Sequence, residues 1–134
     1  MKRPGGRLQW SGDRMGRLSL RLDAAYCTLL GVGVAIAAPT IATSLPLPVW
    51  VFVATGAAVV LWADLILIML ARLDLRSALL LVMVANLLAA GAVAVVSALG
   101  ATLLVIAAVL AVAVDVALFA GSQALAVRRL RPAR

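Results

Sequence analysis

The chain has 134 residues, of which 66% are hydrophobic and 13% charged, with a mean hydropathy of +1.17. Those values exclude an ordinary soluble domain, whose helices and loops would all need a polar coat. The net charge of +7 would suit a nucleic-acid partner only on a folded basic face with interleaved polar and aromatic groups; here the cations flank apolar runs, a pattern that points to anionic lipid headgroups at about 1 kcal/mol per Lys or Arg.

Residues 1–21 carry Lys2, Arg3, Arg7, Arg14, Arg17 and Arg21, with Pro4, Gly5 and Gly6 near the start. The first dozen residues read as a loose segment. From Asp13 a helical projection sets Arg14, Arg17 and Arg21 against Met15, Leu18 and Leu22, which predicts a short interfacial helix with Trp10 at headgroup level.

Four apolar runs follow, at about residues 22–44, 49–71, 77–99 and 101–125, each long enough at 1.5 Å per residue to cross a hydrocarbon core of about 30 Å. Between Leu22 and Val127 the only charged residues are Asp23, Asp64, Arg72, Asp74, Arg76 and Asp115. Pro46 and Pro48 break the first run from the second, because proline lacks the N–H donor and disfavours helix in the residue before it. Arg72, Asp74 and Arg76 end the second run with charge. Gly100 marks the junction of the third and fourth. Pro39, in the outer third of the first span, is expected to kink that helix or begin its exit.

The fold class expected is all-α, an antiparallel bundle of four transmembrane helices in residues 22–127, with a basic tail at 128–134. All twelve basic residues fall on one side of such a bundle. The positive-inside rule then places both termini in the cytoplasm. Composition rich in Ala, Val, Leu and Arg suits a bacterial protein, so the expected location is the bacterial inner membrane, multi-pass. Ala35-Ile36-Ala37 matches a small-x-small cleavage pattern, but alanine is so common here that the first span is read as retained. Arg14, Arg17, Arg21, Arg72, Arg76, Arg128 and Arg129 are the expected lipid-headgroup contacts.

Asp64 and Asp115 lie within apolar runs, where a carboxylate facing lipid costs about 2.5 to 3.5 kcal/mol. Counted from the basic end, Asp64, Asp115 and Asn86 fall at comparable depth, and together they form the expected polar layer. Small residues at three-four spacing accompany each, and Ala24, Thr28, Gly31, Ala35 and Ala38 form a matching seam in the first span. The layer has two readings: a proton-titrating carboxyl pair, or interhelical hydrogen bonds of about 0.6 kcal/mol each that serve packing. Asp23 and Gln123 read as polar residues of the cytoplasmic edge, with Asp23 pairing a nearby arginine or favouring the helix N-terminus. Asp74 reads as a solvated loop carboxylate, and Cys27 as a small apolar packer.

Enzymatic constellations fail by inventory. With neither histidine nor glutamate there is no Ser-His-Asp triad, imidazole zinc site or histidine-ligated haem, and no cofactor or metal is expected.

The segments Leu20-Arg-Leu-Asp-Ala-Ala-Tyr-Cys27, Leu45-Pro46, Ala85-Asn86, and Gln123 before Arg128-Arg129 resemble a family of small four-helix bacterial membrane proteins of unknown function. Three residues after the asparagine, where that family carries tryptophan, this chain has Ala89. The resemblance implies the four-helix architecture and no activity or site residues. Two functional readings stand: a non-enzymatic accessory or assembly partner, or homo-oligomer, in the membrane; and a small proton-coupled transporter or channel-like oligomer using Asp64 and Asp115.

Overall fold

A computed structural model describes the backbone of residues 6–97 and 103–130 and the side chains of 12–95 and 106–130. It contains four helices: α1 Gly6–Ile41, α2 Val49–Arg72, α3 Leu75–Ser97 and α4 Leu103–Arg129. All four are long and apolar enough to cross a membrane, as in a multi-pass membrane protein. In lipid the backbone must satisfy its own hydrogen bonds, and only long uninterrupted helices do so for runs of this composition. The junction expected at Gly100 lies outside the described residues.

The interfacial helix expected before the first span is not a separate element. α1 runs unbroken for 36 residues, about 54 Å at the α-helical rise. Its buried positions explain the continuity: Gly12, Gly16, Ser19, Leu20, Asp23, Ala24, Cys27 and Gly31 recur at three-four spacing, one seam that passes from the basic segment into the apolar one. The seam keeps packing partners along its whole length, so nothing turns the helix onto the membrane plane. Leu18 and Leu22, expected on the apolar side of that helix, are 57% and 52% exposed in the single chain.

Pro39 stands in the last turn of α1, and the chain then closes through tightened turns from Ser44 N to Ile41 O and Leu47 N to Leu45 O. Pro48, at φ −67° and ψ 149°, is the extended residue from which α2 starts. At the other end the connection is two residues. Leu73 N donates to Met69 O, closing α2, and Asp74 caps α3 by accepting the Ser77 N–H at 2.9 Å. Asp74 is therefore a capping carboxylate, and the Ser77 backbone N–H, then the Ser77 hydroxyl, hold it below the usual carboxylate range.

Contacts fix the directions. Gly12 lies against the backbone of Arg129, Ser19 against Ser122 and Tyr26 against Asp115, so α1 and α4 are antiparallel. Gly16 meets Leu75 and Leu79 while Asp23 meets Asn86, so α1 and α3 run parallel. α1 packs most extensively on α2, and α3 on α4, while α2 and α3 touch little despite their short connection. Helix α1 thus joins the two hairpins.

The tightest crossing is between α1 and α2. A Cβ built on Gly31 would stand 2.6 Å from the carbonyl oxygen of Gly56, and one on Gly56 would meet the Gly31 carbonyl and Ala35. Only glycine at both positions permits that approach. The core, Leu20, Ala24, Cys27, Ala63, Ile66, Ala78, Leu79, Val82 and Ala126, lies toward the end that bears the arginines. Outside it, Leu29, Ile36 and Leu88 are more than 70% exposed. In water such a surface would aggregate; facing acyl chains it is the expected exterior.

Candidate functional site

The polar centre of the bundle is Asp23. Its Oδ2 accepts the Asn86 amide of α3 at 2.6 Å and the Gln123 amide of α4 at 2.7 Å, and its Oδ1 faces the Cys27 thiol at 3.6 Å. Asp23 is 2% exposed, Asn86 3% and Gln123 0%. The expectation that Asp23 pairs a nearby arginine or favours a helix N-terminus is corrected here. Helix α1 continues well beyond Leu22 on the basic side, so Asp23 sits inside a helix among helices, and two neutral amides take the place of the arginine.

The cluster is not saturated. Gln123 Oε1 is buried with no hydrogen-bond partner, which costs about 1 to 3 kcal/mol. Interhelical bonds within membranes average about 0.6 kcal/mol, so the two amide bonds offset only the low end of that cost. Net stability is therefore small, and what the cluster supplies is register: it locks α1, α3 and α4 at one height.

The layer expected from Asp64, Asn86 and Asp115 does not assemble. Asn86 is buried, but its partners are Asp23 and, through Asp23, Gln123. Asp64 is exposed on α2. The buried stripe of α2 is Phe52, Gly56, Ala63 and Ile66; eight residues at 100° each carry Asp64 about 80° from Gly56, toward the side opposite Ile66. Asp115 is also exposed, and Tyr26 Oη donates to its Oδ2 at 3.1 Å. The Tyr26 and Phe119 rings stack at a tilt, with centroids 5.3 Å apart.

Beside this pair a groove of about 390 Å³ opens between α1 and α4, lined by Met15, Leu18, Leu22, Leu118, Phe119 and the Ser19–Ser122 hydroxyl pair, 2.7 Å apart. Arg129 Nη1 reaches Met15 Sδ at 3.7 Å near the basic end. Arg14, Arg17, Arg21, Arg72, Arg76, Arg128 and Arg129 are all exposed, and the α1, α3 and α4 contacts bring them to one end of the bundle. Among the described residues no three His, Cys, Asp or Glu side chains gather as a metal site would require.

Compared with family models, with curated proteins and with solved structures, the chain matches none of them. The family resemblance carried by the short motifs gains no support from those comparisons.

Proposed function

We propose that the chain is a non-enzymatic assembly subunit of the bacterial inner membrane, with both termini cytoplasmic, whose exposed α2 face docks a transmembrane helix of a partner protein or of a second copy. The observation that carries this reading is Asp64. It stands on a face made of Ala54, Ala57, Leu61, Ile68 and Ala71, all exposed in the single chain. Against lipid a carboxylate there costs about 2.5 to 3.5 kcal/mol. A neighbouring helix with a hydrogen-bond donor at that depth removes the cost, and the alanines allow its close approach.

The connections support the same reading. Among the described connections, residues 73–74 and 42–48 are too short to build a binding site in water, which favours the membrane plane as the place of interaction. The arginine-bearing end supplies orientation and attraction to anionic lipid, not a nucleic-acid surface. The transporter reading, which needs Asp64 and Asp115 together, has less support now that the two stand on separate exposed faces.

The test is to purify the full chain in mild detergent, record its mass and what co-purifies, and repeat with Asp64→Asn and Asp64→Leu. The expected result is a stable oligomer or complex that Asp64→Leu dissociates while helicity is unchanged. A monomer without partners that drives proton-coupled uptake in proteoliposomes, lost in Asp115→Asn, would overturn the proposal.

A further inference from the structure

The Asp23 cluster carries an inference independent of the α2 face. Three almost wholly buried side chains from three helices converge there. Asp23 Oδ2 already accepts two N–H donors, whereas Oδ1 has only the long thiol contact from Cys27. Gln123 donates from Nε2 while its Oε1 stays buried and unpartnered. A carboxylic acid and a primary amide lying head to head have two complementary halves: amide N–H to acid C=O, and acid O–H to amide C=O. The first half is formed here at 2.7 Å. The second needs a hydrogen on Oδ1.

We propose that Asp23 is a proton-binding site, in which a proton on Oδ1 is donated to Gln123 Oε1 and closes a cyclic acid–amide pair between α1 and α4. The proton is delivered by a hydronium ion, whose O–H bond breaks and leaves water as the Oδ1–H bond forms, and the carboxylate charge is neutralised. Every group that meets the carboxylate is itself uncharged: the Cys27 thiol from α1, Asn86 from α3 and Gln123 from α4, with Ala63 and Ile66 of α2 in the adjoining core. Among the described side chains every arginine of the four helices is exposed, as are Asp64 and Asp115, and Tyr26 is turned to Asp115. A charge on Asp23 would thus have no counter-ion within the cluster, while a neutral acid satisfies the one orphaned acceptor. Ser19, one turn before Asp23, and Ser122, next to Gln123, pair along the α1–α4 groove and are the polar groups of that seam nearest the cluster in sequence.

Infrared spectroscopy of the full chain in phospholipid nanodiscs tests the proposal, because a protonated carboxyl has a C=O stretch that an ionised one lacks. The expected result is an acid C=O band that titrates with pH and shifts down in heavy water. In an Asp64→Asn/Asp115→Asn background, at a pH where carboxyls in water are ionised, the band should be present, and adding Asp23→Asn should abolish it. Gln123→Leu should move it to higher frequency, as the hydrogen bond from the acid is lost. Asp23→Asn should fold normally, since an amide–amide pair reproduces the ring. The absence of an acid band in that background, its persistence when Asp23→Asn is added, or its indifference to Gln123→Leu would overturn the proposal. Failure of Asp23→Asn to fold would also count against it, and the Gln123→Leu spectrum still decides in that case.

Discussion

Gly31 of α1 and Gly56 of α2 meet backbone to backbone, each where the other's carbonyl oxygen would obstruct a Cβ. Alanine at either position must push the helices apart. We expect Gly31→Ala and Gly56→Ala each to lower stability by about 1 to 3 kcal/mol, the usual cost of overpacking. Gly33→Ala is the control, because its Cβ position has no neighbour within 4 Å, and it should stay within about 0.5 kcal/mol. Reversible unfolding in mixed detergent micelles measures all three.

Ser19 and Ser122 hold the register of α1 on α4, their hydroxyl oxygens 2.7 Å apart. In a Cys27→Ala background, Ser19→Cys combined with Ser122→Cys should form an intramolecular disulfide under mild oxidant, seen as faster migration on a non-reducing gel. Moving one partner to the exposed neighbour, Leu18→Cys with Ser122→Cys, should react far less. Equal reaction of both pairs would refute the register.

Asp74 caps α3 as an ionised acceptor of the Ser77 N–H. Its folded carboxyl titrates below the ordinary value near 3.9, held there chiefly by that N–H. A depressed folded value means stability that is present in full above about pH 4 and lost as pH falls through the lower, folded value. Thermal unfolding should therefore show wild type more stable than Asp74→Ala at neutral pH, with the gap closing only under strongly acidic conditions. A gap that is constant with pH would refute the charged cap.

Tyr26→Phe removes the donor to Asp115 and leaves the ring contact with Phe119 in place. The expected loss is about 0.6 kcal/mol, the membrane average for such bonds. In Asp115→Leu the same substitution should change nothing further. A double-mutant cycle reads the difference directly.

These residues also show where sequence reasoning succeeded and where it stopped. The four helices were legible because apolar length and the breaks at Pro46, Pro48 and Arg72 depend only on the chain itself. Depth along a helix was legible too, which is why Asn86 was expected in a polar layer. Azimuth was not. Successive four-residue steps drift by about 40° each, so a face drawn from Gly56 through Val60 to Asp64 leaves the packing surface before it reaches the carboxylate. Asp23 is singled out by the sequence, but as an edge residue apart from Asn86, although the small-residue seam from Gly12 through Gly16, Ser19 and Cys27 to Gly31 runs through it. That seam was the available signal. Asp23, Asn86 and Gln123 also all fall within the short motifs on which the family resemblance rests. Their convergence could not be deduced, because it depends on α1 lying beside both α3 and α4 and not only beside α2.

The bond between Asp23 and Gln123 spans 100 positions of sequence, and that separation is also an interval of time. At roughly 5 to 20 residues per second, the ribosome takes about 5 to 20 s after making Asp23 to supply Gln123, and somewhat less to supply Asn86. Until Asn86 is made, α1 can pair with α2 through Gly31 and Gly56, but its carboxylate has no amide to meet. A nascent chain arrested before α3 therefore carries a legible mark of incompleteness, an acid on its first helix with neither of its two amide donors.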